Sequence, residues 1–268
     1  MDLFYRKYGS GPPLIILHGL YGSSDNWISI GKALSDKFTV YLPDQRNHGN
    51  SPHSDDHDYD LMKQDLLEFV IQHNLNKINL VGHSMGGKTV MSFAGDYPDR
   101  IASMVVIDIG PKSYLDGNEQ EQRAVSHHQI IKAMLSVRPE EITERDEADA
   151  RLAEFIDMEK LRQFLLKSLA REKDGTYRWK VNVKALDKDI DRIMDGLPLD
   201  DLKNHPGIAG FPVLFIRGEK SPYIPDEDIP AIQHMFPTSN VVTIPNAGHW
   251  LHVEQPELLI KNLKYFLT

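Results

Sequence analysis

Residues 77–98 read KINLVGHSMGGKTVMSFAGDYP, and the fold follows from how this stretch is read. The apolar run from Ile78 to Val81 predicts a strand. Val90, Phe93, Ala94 and Tyr97 recur at helical spacing and predict an amphipathic helix over 85–97. Between them stands Gly82-His83-Ser84-Met85-Gly86. Strand, Gly-x-Ser-x-Gly and helix, in that order, are the context of a nucleophile elbow. A turn this sharp strains the backbone at Ser84 and thrusts its hydroxyl out of the sheet. Side chains at 82 and 86 would collide with the neighbouring strand and helix, so glycine fits both positions. The helix starts beneath the hydroxyl, with free N–H groups and the positive end of its dipole facing any oxyanion formed there. The same five residues also fit an idle serine in a glycine-rich turn, and the rest of the chain decides between the two.

Outward from this unit, short apolar strands alternate with amphipathic helices. Leu3, Tyr5 and Lys7 alternate with Phe4, Arg6 and Tyr8 as in a short strand. Leu14 to Leu17 predicts a buried strand ending in His18-Gly19-Leu20-Tyr21-Gly22. Ser24 or Asp25 is placed to cap a helix that keeps Trp27, Ile30 and Leu34 on one face. Phe38 to Leu42 reads as a strand, 60–74 as a helix, and Ile101 to Ile107 as a strand ending in Asp108. Near the end come a strand from Phe211 to Ile216, a helix over 226–236 and a strand from Asn240 to Ile244. The loop Asn246-Ala-Gly-His249 follows, then a last helix from Pro256 with Leu259, Leu263 and Phe266 inward. The pattern predicts an α/β protein with a mostly parallel central sheet and helices on both faces. Sites in such sheets lie at the carboxyl ends of the strands, where His18-Gly19, Asp44, Ser84 and Asp108 all fall.

Residues 111–205 break this rhythm. They hold 37 of the 69 charged residues, and their one strand-like run is around Tyr177 to Val183. Ile130, Ile131, Met134 and Leu135 fall at helical intervals, as do Leu161, Phe164, Leu165 and Leu169. The segment reads as three to five amphipathic helices inserted between two strands of a core formed by 1–110 and 206–268. Composition excludes several classes. Net charge is −9 with no basic cluster, which argues against a nucleic-acid partner. No apolar run approaches the ~18 residues of a membrane span, and MDLFYRKYGSG has neither an apolar core nor a small-residue cleavage site. The expected location is therefore cytoplasmic. The absence of cysteine excludes disulfides, a thiol nucleophile and a cysteine-ligated metal.

A serine nucleophile needs a base. Of twelve histidines, His249 lies after the last strand, where a loop can reach back over the elbow. His252 is expected to pack or cap the final helix, His83 to support the pocket, and His18 to hold its own loop. His127 and His128 are expected on a solvated surface. The run His53-Ser-Asp-Asp-His57-Asp-Tyr-Asp has metal-ligand residue types but lies in a polar loop without fixed geometry, so no metal is expected. Asp44 and Arg46 read as a buried ion pair or loop lock.

Over its whole length the chain resembles the α/β-hydrolases, with 111–205 as the helical cap. His18-Gly19 resembles their oxyanion loop, Asp44-Gln-Arg-Asn-His-Gly-Asn-Ser51 their Asp-x-Arg-x-x-Gly-x-Ser stretch, and Gly248-His249 their histidine loop. Four details resemble the YbfF-like bacterial esterases more narrowly. They are Asp44-Gln-Arg-Asn-His-Gly, Ile107-Asp108-Ile-Gly-Pro111, Arg217-Gly-Glu-Lys-Ser-Pro-Tyr223 and Ala247-Gly-His-Trp-Leu-His252. The resemblance implies a carboxylesterase-type serine hydrolase (EC 3.1.1.-) of short- to medium-chain acyl esters, working through an acyl-enzyme without a cofactor. Ser84 is then the nucleophile, His249 the base, and the N–H groups of Leu20 and Met85 the oxyanion hole. The commonest position for the triad acid holds Ser221 instead. The YbfF-like resemblance points to Asp108, with Glu219, Asp226 and Asp228 as rivals. A thioesterase acting on acyl-CoA, or a non-catalytic receptor on the same fold, would share these features. The expected partner is a small acyl ester, and the chain a monomer or homodimer.

Overall fold

Strands without a polar face must be covered on both sides, and that requirement organises the molecule. The computed structural model describes residues 1–115, 126–197 and 206–268. Its main strands are β1 (Tyr5–Tyr8), β2 (Pro13–Leu17), β3 (Thr39–Pro43), β4 (Ile78–His83) and β5 (Ile101–Ile107). A two-stranded hairpin, β6 (Leu169–Arg171) and β7 (Tyr177–Trp179), precedes β8 (Val213–Gly218) and β9 (Ser239–Ile244). The seven-stranded sheet runs β1-β3-β2-β4-β5-β8-β9. β1 is antiparallel to β3, and every other pairing is parallel.

Side chains alternate across the sheet with period two, and each face has its own apolar cluster. Leu80, Met104 and Val106 face one side with α2 (Tyr59–Gln72) and α3 (Met85–Asp96), through Leu66, Phe69, Val90 and Phe93. Val81, Val105 and Ile107 face the other, against Trp27, Ile30 and Leu34 at α1 (Ile28–Leu34) and Leu259 and Leu263 of the last helix. The register sets what happens at the strand ends. His83 pairs with Ile107, and Ile107 with Ile216, so the chain leaves β4, β5 and β8 side by side.

Between β5 and β8 the described residues form α4 (His127–Ser136), α5 (Arg145–Ala153), α6 (Glu159–Leu166) and α7 (Val183–Met194), with the β6–β7 hairpin between α6 and α7. Residues 116–125 and 198–205 of the predicted insertion lie outside the described residues. The apolar faces of these helices join Leu20, Tyr21, Tyr59, Met62 and Met85 in a third cluster. Two local expectations are corrected. Leu169 leaves the helical run and pairs with Trp179, because α6 stops at Leu166 and the chain turns back through Gly175 at φ 91°. The cap of the turn before α1 is Ser23, in a reciprocal box with Asn26. The Ser24 N–H is engaged instead by the Asp44 carboxylate at 2.6 Å.

Asp44 and Arg46 do not pair with each other. Asp44 fastens two loops by accepting from Ser24 and Asn50 N–H groups. Arg46 makes a bidentate contact with Asp65 of α2 at 2.6 and 2.9 Å, both side chains buried. Removing one member of such a pair strands the other charge, so Asp65→Ala is expected to lower unfolding stability by about 3–5 kcal/mol, read by urea denaturation. Replacing Arg46 and Asp65 together with Met and Leu should recover most of that loss.

Candidate active site

Ser84 sits at φ 52°, ψ −120°, a conformation that non-glycine residues rarely adopt. Its surroundings hold it there. The Ser84 N–H donates to the Ile107 carbonyl at 3.0 Å, and the Ser84 carbonyl accepts from Lys88 at 3.1 Å as α3 begins. A Cβ on Gly82 would stand 2.2 Å from the Gly86 carbonyl, and one on Gly86 would stand 2.5 Å from the Leu17 carbonyl, so only glycine lets these backbones meet. Serine is a favoured helix N-cap, yet the Ser84 hydroxyl makes no capping bond. It points instead to His249, whose Nε2 lies 3.1 Å from Oγ.

The other imidazole nitrogen, Nδ1, lies 2.7 Å from Asp108 Oδ2. Asp108 is fully buried and adopts φ 54° where the chain turns out of β5. Its second oxygen accepts from Gly218 N–H at 2.9 Å, and Oδ2 also accepts the Ser221 hydroxyl. Serine at the commoner acid position thus donates to the carboxylate one strand nearer the nucleophile. The three rival carboxylates are engaged elsewhere. Glu219 accepts from Asn246 N–H at 2.8 Å, Asp226 pairs with Arg217, and Asp228 with Lys112. Tyr223 stacks on the His249 ring at 4.1 Å between centroids, and His83 Nε2 lies 2.8 Å from the His249 carbonyl.

The loop after β2 passes beside the nucleophile. A Cβ on Gly19 would come within 3.2 Å of Ser84 Cβ. His18 pins this loop, with Nδ1 2.9 Å from the Gly19 carbonyl and Nε2 accepting from Gln45 N–H at 3.0 Å. Leu20, in the loop, and Met85, at the start of α3, line one small cleft together with Ser84. Neither backbone N–H has a protein partner among the described residues.

Above Ser84 opens a cavity of about 310 Å³ with walls that are mostly apolar. The inserted segment contributes His127, Ile130, Met158, Leu161 and Phe164 to it. Tyr114 lies under the site and donates to the Tyr223 carbonyl at 2.7 Å. Phe155 and Trp179 pack within the insertion, Trp179 through an N–H bond to the Met134 carbonyl at 3.2 Å. His127 is a correction: it faces the cavity and its Nδ1 contacts the Tyr21 hydroxyl at 3.2 Å. Burial lowers it to about 4. Its signal was in the sequence, since 127, 130, 131 and 134 form one helical stripe. His252 packs as expected, stacked on Trp27 at 4.8 Å. In the His53–Asp60 run, His57 is buried against Met85 and His48, and no metal-ligating cluster occurs among the described residues.

The chain matches the α/β hydrolase fold family over residues 12–256. It is 37% identical over 272 residues to the sn-1-specific diacylglycerol lipase ABHD11 of Danio rerio, covering 99% of this chain and 81% of that protein. Esterase YbfF of Escherichia coli strain K12 is 32% identical over 258 residues, covering 96% of this chain and 93% of its own. Among solved structures, a marine microorganism esterase aligns with a TM-score of 0.91 at 48% identity, covering 99% of each chain.

One buried cation beneath the site escaped the sequence reading. Lys88, one turn past Ser84, is 1% exposed and donates to the Met194 and Asp195 carbonyls at the end of α7. Burial lowers it to about 7. Between pH 7 and about 10.5 the unfolded chain therefore binds a proton that the folded chain has released, and stability should rise with pH. The expected slope from this group approaches ~1.4 kcal/mol per pH unit. Urea unfolding at pH 7 and pH 9 should show the rise in the native protein and its loss in Lys88→Met.

Proposed function

The chain belongs to the α/β-hydrolase family, and from that premise and the hydrogen-bonded series Ser84–His249–Asp108 we propose how it works. It is a carboxylesterase-type hydrolase. The observation that carries the mechanism is that series, placed at the floor of an apolar cavity. His249 Nε2 takes the Ser84 proton as Oγ attacks the ester carbonyl. The tetrahedral oxyanion is held by the N–H groups of Leu20 and Met85. Asp108 fixes the ring through Nδ1 and stabilises the imidazolium, while Gly218 and Ser221 fix Asp108. Collapse expels the alcohol, which takes the proton from Nε2 and leaves the acyl group on Oγ. A water then attacks the acyl-enzyme with His249 as its base, and the proton returns to Ser84 Oγ as the carboxylic acid leaves.

The inserted helices act as a cap that sets substrate range. Ile130, Met158, Leu161 and Phe164 bring apolar surface over Ser84. The volume lies at the small end of ligand pockets, which suits short to medium acyl chains.

Fluorophosphonate labelling and hydrolysis of 4-nitrophenyl acetate and butyrate should both occur in the native protein and vanish in Ser84→Ala. A folded native protein inert in both assays would favour a receptor role. Asp108→Asn keeps the shape and loses the charge, an exchange worth about four orders of magnitude in serine proteases. A fall of at least ~100-fold in kcat is expected here, against a change within about threefold for Asp226→Asn and Asp228→Asn. An active Asp108→Asn beside an inactive later variant would move the acid beyond β8. Phe164→Ala and Leu161→Ala should shift the butyrate-to-octanoate ratio about tenfold while acetate turnover changes less. A collapse of acetate turnover in folded variants would instead make the cap part of the catalytic machinery.

A further inference from the structure

The apolar cavity has a neighbour on the side of α6. A second cavity of about 510 Å³ adjoins it, and Tyr21, Gly22, Asn26, Phe164 and His252 line both. The two differ in charge. The first has mostly apolar walls, whereas Arg145, Lys167 and Lys180 line the second against one carboxylate, Asp25. Asp25 is already engaged, 2.5 Å from Arg6 and 3.9 Å from Lys180. Arg145 donates to the carbonyls of Leu166 and Leu169 at 3.0 and 2.8 Å, contacts that satisfy its N–H groups without neutralising it. Neither Arg145 nor Lys167 has an ion-pair partner among the described residues. Three cations around one neutralised aspartate, in a chain of net charge −9, form a local positive field beside the reaction centre.

His252 stands at the junction. It is 6% exposed, its ring lies on Trp27, and both ring nitrogens lack a protein partner. Burial first, then the nearby His249 and Lys167, lowers its pKa to about 3, so the ring is neutral at pH 7. A neutral ring offers one N–H donor and one lone pair. A buried polar group without a partner is unfavourable, and a polar atom of a ligand lying against it removes that cost.

We infer that the second cavity is a subsite for an anionic group, a phosphate or carboxylate, carried by the ester several bonds from its scissile carbonyl. The preferred substrate is then an amphiphile. Its apolar part fills the cavity over Ser84, a polar atom passes His252, and its negative end lies among Arg145, Lys167 and Lys180. This reading rests on Ser84 as the nucleophile for its kinetic consequences, but not for the binding of an anion.

Two measurements separate these layers. The first compares three esters: neutral 4-nitrophenyl butyrate, the 4-nitrophenyl monoester of adipic acid with its charge on the acyl side, and the butyrate ester of 2-(4-hydroxyphenyl)ethyl phosphate with its charge on the alcohol side. In Lys167→Ala/Lys180→Ala, kcat/KM for one charged ester should fall at least about tenfold more than for the neutral ester, through KM, and Lys167→Glu should deepen the loss. Which charged ester responds identifies the end of the substrate that enters. In the native protein, 0.5 M salt should raise KM for that ester alone. The second is calorimetric titration of Ser84→Ala with inorganic pyrophosphate, where the lysine substitutions should weaken binding at least about tenfold. Equal losses for all three esters, or pyrophosphate binding that is absent or indifferent to the lysines, would overturn the subsite. Absence of turnover and of fluorophosphonate labelling with intact lysine-dependent pyrophosphate binding would overturn the Ser84 mechanism and leave the subsite standing.

Discussion

The hydrogen-bonded register of three parallel strands is the constraint on which the rest of this structure depends. Pairing His83 with Ile107 and Ile107 with Ile216 brings three chain exits to one edge. The ladder continues past the strands, through Ser84 N–H to the Ile107 carbonyl and Asp108 N–H to the Ile216 carbonyl. Neighbouring strands lie about 4.8 Å apart, so Ser84 and Asp108 occupy adjacent exits with no room for an intervening element. Slipping one strand by a residue would turn every side chain to the wrong face and separate the two. Both residues have positive φ, a local cost of about 1–3 kcal/mol each that the ladder and the two packed faces of the sheet offset.

Neutral, buried histidines surround the one that contacts Ser84. His18, His48, His57, His83 and His252 are all buried, and burial is the main reason each lies below its ordinary value. Their rings act as polar spacers with defined hydrogen bonds at His18, His48 and His83. His249 is partly exposed, and its Nδ1 lies 2.7 Å from the Asp108 carboxylate.

The segment between β5 and β8 is fastened to the rest of the chain by buried polar contacts as well as by its apolar stripe. Asn182 at the start of α7 donates to Asn47 and to the Ser54 carbonyl, and Asp189 accepts from His57 N–H at 2.9 Å. Tyr59 and Lys88 reach the carbonyls at the other end of the same helix. The Asp-Gln-Arg-Asn-His-Gly stretch therefore does more than hold a turn, because its Asn47 is one of the points where α7 is fastened.

Much of this was legible from residue order alone. Strands and helices have different hydrophobic periods, and a glycine pair around a serine at a strand–helix junction leaves few alternatives. The mostly parallel sheet, the place of Ser84 at a strand end with His249 in the loop after the last strand, and the helical character of most of the segment between β5 and β8 all follow from such local rules. The strand at Leu169 did not, because a three-residue strand is defined by its partner rather than by its own period. Nor did Ser23 as a cap, since the claim of Asp44 on Ser24 is a contact across 20 positions. For the acid, the resemblance pointed to Asp108 over Glu219, Asp226 and Asp228, but the residues themselves show four carboxylates near two strand ends and no distances. That the Asp108 carboxylate meets His249, and that three cations gather beside the cavity, were decided by tertiary structure. Each is a contact between segments whose separation along the chain carries no information about their separation in space.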